Sequence, residues 1–141
     1  MSLLVFDSSA ALKWFLPELH SDKAKQIRDE YRNAITELIA PDIFPVETLH
    51  ALTKAERQQR ITHGTAHPIW QSIMVDSPTL HPYIPLLDRA YEIAAAARIG
   101  IYDCIYVALA ERETCEFATA DDRIIKNLQG QFPFIRHLST F

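Results

Sequence analysis

Near its start the chain reads Leu3-Leu-Val-Phe-Asp-Ser-Ser9. An uninterrupted apolar run of this kind is typical of a strand that is covered on both faces, as strands of parallel sheets are. Asp and Ser, which follow it, are residues that commonly begin helices. The stretch therefore predicts a buried strand, Leu3–Phe6, that passes directly into a helix, as in α/β proteins.

The rest of the chain repeats this alternation of short apolar strands and longer helical segments. Asp42 is predicted to cap a helix that follows the second strand, and the proline-rich segment Ser77–Pro85 is predicted to be loop or edge strand. Further strands are predicted at 35–40, 117–119 and 134–138, and helices at 10–16, 21–31, 65–75, 86–98, 102–113 and 121–128. Strands separated by helices need crossover connections, so we expect a three-layer α/β/α fold with a central parallel sheet of about four to five strands.

Composition limits the class of protein. The 141 residues suit a single domain, 1–141, and the net charge of −4 is unlike that of a basic nucleic-acid coat protein. With only three glycines the chain cannot form a glycine-rich phosphate loop. The start lacks the basic segment of a signal peptide and no apolar run is long enough to span a membrane, so we expect a cytoplasmic protein in which Cys104 and Cys115 are free thiols.

Four acidic residues stand at positions that favour a common site. Asp7 and Asp121 directly follow predicted strands, and Glu47 lies early in the helix after the second strand. Asp103 is the only charged residue between positions 99 and 110, on an otherwise apolar helix, where burial of a carboxylate is costly unless it is paired or bound to a metal. Each also has an ordinary structural interpretation: Asp7 and Asp121 as helix caps, Asp103 as a partner of the helix dipole, and Glu47 as a solvated side chain.

The four residues become more informative as a set, because ligands of parallel α/β sheets bind beyond the carboxyl ends of the strands. Carboxylates gathered there would repel one another and raise each other's pKa unless a divalent cation were bound. Ligand sets made only of oxygen suit Mg²⁺ or Mn²⁺, and a phosphodiester is a common substrate of such sites. The sequence thus predicts a metal site formed by Asp7, Glu47, Asp103 and Asp121.

Four motifs that contain these residues resemble those of PIN-domain ribonucleases, in particular the VapC toxins of toxin–antitoxin pairs. The first motif is Val5-Phe-Asp-Ser-Ser-Ala-Ala-Leu-Lys-Trp14. The other three are Pro41–Leu52, Tyr102–Glu111 and Ala118–Arg123. The four occur in the family's order and extend over nearly the whole chain.

The resemblance implies a PIN-like fold and an endoribonuclease that cleaves RNA with a metal-activated water. It also implies a Mg²⁺ ion (Mn²⁺ being possible), a homodimer and a cognate VapB-like antitoxin. It assigns the metal ligands and catalytic groups to Asp7, Glu47, Asp103 and Asp121, with hydroxyls of Thr119 or Ser8 supporting them. Two departures from the family pattern are that no hydroxyl residue caps the helix of Asp103 and that Asp121 is followed by a second aspartate.

Other interpretations remain open at this stage. A PIN-like nuclease without a toxin role has the same motifs, as does a degenerate domain that binds RNA or protein. A phosphatase with Asp7 as nucleophile would ordinarily carry an acid two residues later, where this chain has Ser9. For the RNA approach, the candidate cations are Lys13, Arg57, Arg60, Arg98 and Arg123.

Overall fold

The computed structural model describes residues 2–141 and contains one parallel sheet of five strands in the order β3-β2-β1-β4-β5. The strands are β1 (Ser2–Phe6), β2 (Thr36–Pro41), β3 (Thr79–His81), β4 (Glu116–Thr119) and β5 (Ile135–His137). The helices are α1 (Ser8–Ala11), α2 (Ser21–Arg32), α3 (Phe44–Arg57), α4 (Ala66–Val75), α5 (Leu87–Ala97), α6 (Ile101–Glu113) and α7 (Asp122–Leu128), with 3₁₀ turns at Leu12–Trp14, Ile84–Leu86 and Leu138–Thr140. The α/β prediction and its parallel sheet are confirmed.

Both faces of the sheet are covered by helices. Residues 4–6 of β1 are all buried, although successive side chains of a strand point to opposite faces. On one face the Phe6 ring stacks on Trp14, with centroids 5.3 Å apart. Phe117 of β4 is one residue out of register with Phe6, so it faces the other side, where it stacks on Tyr106 of α6 at 5.7 Å. The result is the three-layer arrangement expected from the sequence.

The topology brings the starts of several helices to one edge of the sheet. Because all strands are parallel, α1, α3 and α7 each begin just beyond the carboxyl end of the strand that precedes them. Helix α6 leads into β4 at the opposite, amino edge, so its own start also lies at the carboxyl edge. This edge therefore receives residues that are far apart in the chain.

Two local expectations differ from the structure, and a third is confirmed. The helix predicted at 10–16 is α1 followed by a 3₁₀ turn that ends at Trp14, whose indole donates a hydrogen bond to the Ala24 carbonyl. The proline-rich segment contains β3, an edge strand, which is one of the two alternatives predicted for it. Asp42 does not cap α3: its carboxylate accepts from the Tyr83 backbone N–H at 3.0 Å, and α3 begins without a side-chain cap.

The remaining structural expectations concern cysteines and membranes. Cys104 is buried, Cys115 is partly buried, and both are free thiols, as predicted. Within residues 2–141, no helix is both long enough and apolar enough to cross a membrane.

Candidate active site

Asp7 lies at the carboxyl end of β1, where it is the N-cap of α1 and only 5% exposed. Its Oδ1 accepts hydrogen bonds from the Ala10 backbone N–H at 3.1 Å and from the Ser9 hydroxyl at 2.7 Å. The Thr119 hydroxyl, from the end of β4, donates to Oδ2 at 2.5 Å. Burial raises the pKa of Asp7 to about 6, although these hydrogen bonds partly oppose the effect and the charge of Asp103 adds to it.

Thr119 links two of the acidic residues. Its hydroxyl donates to Asp7, and the same oxygen accepts from the Asp121 backbone N–H at 3.1 Å. The side chain is fully buried, so no group replaces these bonds when the hydroxyl is removed.

Replacement of Thr119 by valine tests this link, because valine keeps the shape and removes the hydroxyl. We expect Thr119→Val to lower the free energy of unfolding by about 1–3 kcal/mol, since it leaves Oδ2 of Asp7 and the Asp121 N–H without the Thr119 hydroxyl as partner. Urea denaturation measures the change, and Thr119→Ser, which keeps the hydroxyl, is the control. Equal stability of the valine variant and the parent would contradict this account of the link.

Glu47 lies in the first turn of α3, beyond the end of β2, and is half-buried. Burial is the main cause that raises its pKa to about 7, and the charges of Asp7 and Asp103 raise it further. Its Oε1 is buried and has no hydrogen-bond partner within residues 2–141. The Tyr106 hydroxyl faces this carboxylate and lowers its pKa, although the two groups do not meet the geometry of a formed hydrogen bond.

Asp103 lies in the first turn of α6, which begins after Gly100 without a side-chain cap. The helix thus begins before Asp103 even though no hydroxyl residue caps it, and Asp103 lies at the carboxyl edge. Burial raises the pKa of Asp103, the charge of Asp121 raises it further, and the charge of Arg123 lowers it. Repulsion from Asp121, and not only burial, thus acts on this residue.

Asp121 is the N-cap of α7 and accepts from the Arg123 backbone N–H at 2.9 Å. It also forms an ion pair with the Arg123 guanidinium at 3.1 Å. Burial raises the pKa of Asp121, but the hydrogen bonds and charge of Arg123 outweigh burial and hold the pKa below its ordinary value. The neighbouring Asp122 turns away: its side chain is 93% exposed and pairs with His137.

The structure thus brings the four acidic residues to the carboxyl edge. The pKa values of Asp7, Glu47 and Asp103 are raised there, whereas that of Asp121 is lowered. Asp7, Glu47 and Asp103 act on one another electrostatically, and Asp121 acts on Asp103 while its own charge is balanced by Arg123. We call these four residues the acidic site. As placed, no three His, Cys, Asp or Glu side chains of residues 2–141 are close enough to enclose one metal ion.

Comparison with known proteins agrees with this architecture. The sequence matches the PIN domain over residues 4–129, which is most of the chain. The chain belongs to the PIN domain family. Its similarity to two curated mycobacterial proteins also reaches across nearly their whole length: the VapC ribonuclease Mb0985 of Mycobacterium bovis and the ribonuclease VapC9 of Mycobacterium tuberculosis are each 31% identical over 131 residues, which cover 93% of this chain and 95% of theirs.

Two further PIN-like matches come from Pyrobaculum aerophilum. The ribonuclease VapC3 of this organism is 26% identical over 132 residues, covering 92% of this chain and 95% of that protein. The crystal structure of PAE2754 superposes with a TM-score of 0.69 at 20% identity and covers 99% of this chain and 92% of that one. The second match concerns the fold alone.

Two residues of this PIN domain's acidic site were not anticipated in their observed roles. The hydroxyl that supports Asp7 beside Thr119 comes from Ser9 and not from the expected Ser8. Tyr106, buried against the carboxylates, was not predicted at all, although its position three residues after Asp103 places it on the same side of α6.

Proposed function

We propose that this PIN domain is a Mg²⁺-dependent endoribonuclease. The observation that carries the proposal is the convergence of Asp7, Glu47 and Asp103 at the carboxyl edge of the sheet, where burial raises the pKa of each and the charge of a neighbouring acid raises it further. Such an arrangement lowers stability without a ligand, and perturbed carboxylates gathered in this way are typical of functional sites. The mycobacterial and archaeal relatives named ribonucleases support RNA as the substrate.

The donor groups suit a hard dication. All are carboxylate oxygens, and the buried Oε1 of Glu47 is without a partner among the described residues. Mg²⁺ is commonly held by one or two carboxylates and keeps several waters, which fits a site whose acids do not close into a three-ligand cage. We assign Asp7 and Asp103 as the main ligands, with Glu47 and Asp121 acting directly or through water; Mn²⁺ fits the same groups.

When bound, such an ion would supply charge stabilisation at the scissile phosphate and a more acidic water. The residues of the chain supply the rest. Glu47, whose pKa of about 7 lies near neutrality, is suited to accept a proton from the attacking water. Arg123 is held at the rim by Asp121 with most of its side chain exposed, where its guanidinium can contact an RNA phosphate.

The proposed role in the cell is that of a toxin, with a VapB-like antitoxin as partner and a homodimer as the assembled form. The names of the VapC relatives support the toxin role. Growth arrest on expression, relieved by the product of a neighbouring gene, separates the toxin from a nuclease without that role. Light scattering of the purified protein measures the oligomeric state.

The nuclease proposal is tested with purified protein and total RNA. We expect internal cleavage with Mg²⁺, none after chelation, and loss of about 100-fold or more in rate for Asp103→Asn, because several kcal/mol of charge stabilisation are lost. The matched control is Asp88→Asn, which also lies in the first turn of a helix but at the amino edge, where its neighbour Arg89 pairs with Glu111 near the end of α6. Undiminished cleavage by Asp103→Asn, or cleavage after chelation, would refute the proposal.

A further inference from the structure

Tyr106 is a buried residue of α6 that lies beside the acidic site. The residue is 2% exposed, and its ring stacks nearly parallel to Phe117, at an interplanar angle of 13°. Its hydroxyl, however, has no hydrogen-bond partner within residues 2–141. The Glu47 side chain lies close enough to interact with this hydroxyl, although no hydrogen bond is formed between them.

Other buried or partly buried aromatic side chains with polar atoms have hydrogen-bond partners. Trp14 donates to the Ala24 carbonyl at 3.0 Å, Trp70 to the Pro45 carbonyl at 2.9 Å, and the Tyr31 hydroxyl to the Ser77 carbonyl at 2.9 Å. An unpaired buried hydroxyl costs stability, and phenylalanine would fill the same space against Phe117 without that cost. Packing alone therefore does not account for a tyrosine at position 106.

The unpartnered hydroxyl has a complementary group opposite. Oε1 of Glu47 is likewise buried and without a partner in the described chain. A phenolic O–H can donate, and an ionised carboxylate can only accept, so the two groups are chemically able to satisfy each other. A hydrogen bond to a charged acceptor is short and directional, which would hold the carboxylate in one orientation.

We propose that Tyr106 is a positioning residue, whose hydroxyl donates to the Glu47 carboxylate and fixes its orientation in the acidic site. The inference rests on the proposed function, because the orientation of Glu47 affects a reaction only if the acidic site performs it. The residue acts through Glu47 and makes no contact with RNA.

Tyr106→Phe is the test, and its first measurement is RNA cleavage. We expect kcat to fall roughly 10-fold with KM for RNA unchanged, because a misoriented carboxylate affects the transition state and not substrate binding. Tyr31→Phe is the matched control: it removes a hydroxyl bound to Ser77 at the amino edge and should lower the unfolding midpoint without changing kcat. Unchanged kcat in Tyr106→Phe overturns the positioning role.

The second measurement does not depend on cleavage. Unfolding midpoints without metal are compared for Tyr106→Phe, Glu47→Ala and the double variant, where we expect the single shifts not to add because the two side chains interact. Additive shifts overturn the pairing. If the parent protein does not cleave RNA, the proposed function fails and the pairing is judged by these midpoints alone; if the parent cleaves and the shifts add, only the inference about Tyr106 fails.

Discussion

Asp7→Asn should abolish RNA cleavage and at the same time make the metal-free protein more stable. The carboxylate lies at the centre of the acidic site, and its loss removes a main ligand of the proposed ion. Several kcal/mol of charge stabilisation at the phosphate depend on that ion, so we expect a loss on the order of 10³-fold in cleavage rate with Mg²⁺. Cleavage of a labelled RNA under single-turnover conditions measures the loss.

The gain in stability follows from the sign of the pKa shift. The folded state holds the proton of Asp7 up to about pH 6, whereas the unfolded chain releases it near its ordinary pKa of 3.8. Stability therefore falls as pH rises from about 4 to 6, by up to about 3 kcal/mol, and the loss is fully present above that window. Asparagine has no charge to bury, and its amide still offers an oxygen to Ala10 and Ser9.

Urea denaturation of the parent and of Asp7→Asn, both with chelator, separates this effect from simple damage. We expect the variant to be more stable by about 1–3 kcal/mol near pH 8 and to lose most of that advantage near pH 4, where the carboxyl of the folded parent is protonated and that of the unfolded chain is only about half ionised. Asp88→Asn should show no comparable dependence on pH. A variant that is less stable than the parent near pH 8 would show that the charge of Asp7 does not destabilise the folded protein.

The placement of the acidic site was predictable because it depends on topology alone. The run at 3–6 indicated a strand covered on both faces, and parallel strands put their carboxyl ends at one edge. Asp7 and Asp121 follow β1 and β4 directly, so their convergence required only the strand direction and not the packing of side chains. Asp103 was indicated by its isolation in an apolar helix, which is a property of the sequence itself.

Details that depend on the rotation and packing of elements could not be predicted. Asp42 has the sequence position of a cap, but its carboxylate is taken by the Tyr83 N–H, 41 residues away, and only the path of the chain after β3 reveals that contact. The choice of Ser9 over Ser8 depends on which side of α1 faces Thr119. Tyr106 and Glu47 lie on different helices, α6 and α3, and the hydrophobic pattern of each helix does not predict how the two are placed relative to one another.

The local sequence explains why the pKa of Asp121 is lowered while those of the other three acidic residues are raised. Its neighbour in α7, Arg123, is only two residues away, so a local ion pair forms whatever the rest of the site does. Within residues 2–141, no basic side chain forms an ion pair with Asp7, Glu47 or Asp103, and their pKa values rise. A sequence shows the presence of Arg123, but not that its side chain turns back to pair with Asp121.

Stabilisation of the protein by Mg²⁺ should depend steeply on pH. Ion binding requires ionised carboxylates, and the pKa values of about 6 for Asp7 and about 7 for Glu47 keep protons on them in mildly acidic solution. We expect Mg²⁺ to raise the melting temperature by several degrees near pH 8 and hardly at all near pH 5.5, because the gain follows the apparent affinity for the ion. Thermal melts at matched ionic strength, with NaCl replacing MgCl₂, remove the contribution of screening.

Proton release provides an independent check of the same linkage. Near pH 6.5 the parent should release on the order of one proton per bound Mg²⁺, since the ion displaces protons from groups whose pKa values lie near that pH. Calorimetric titrations in buffers of different ionisation enthalpy measure this number, and Glu47→Gln should reduce it while Asp88→Asn leaves it unchanged. Mg²⁺ stabilisation that is equal near pH 5.5 and pH 8 would show that the ion binds away from the acidic site, because groups that stay ionised throughout this range impose no such dependence.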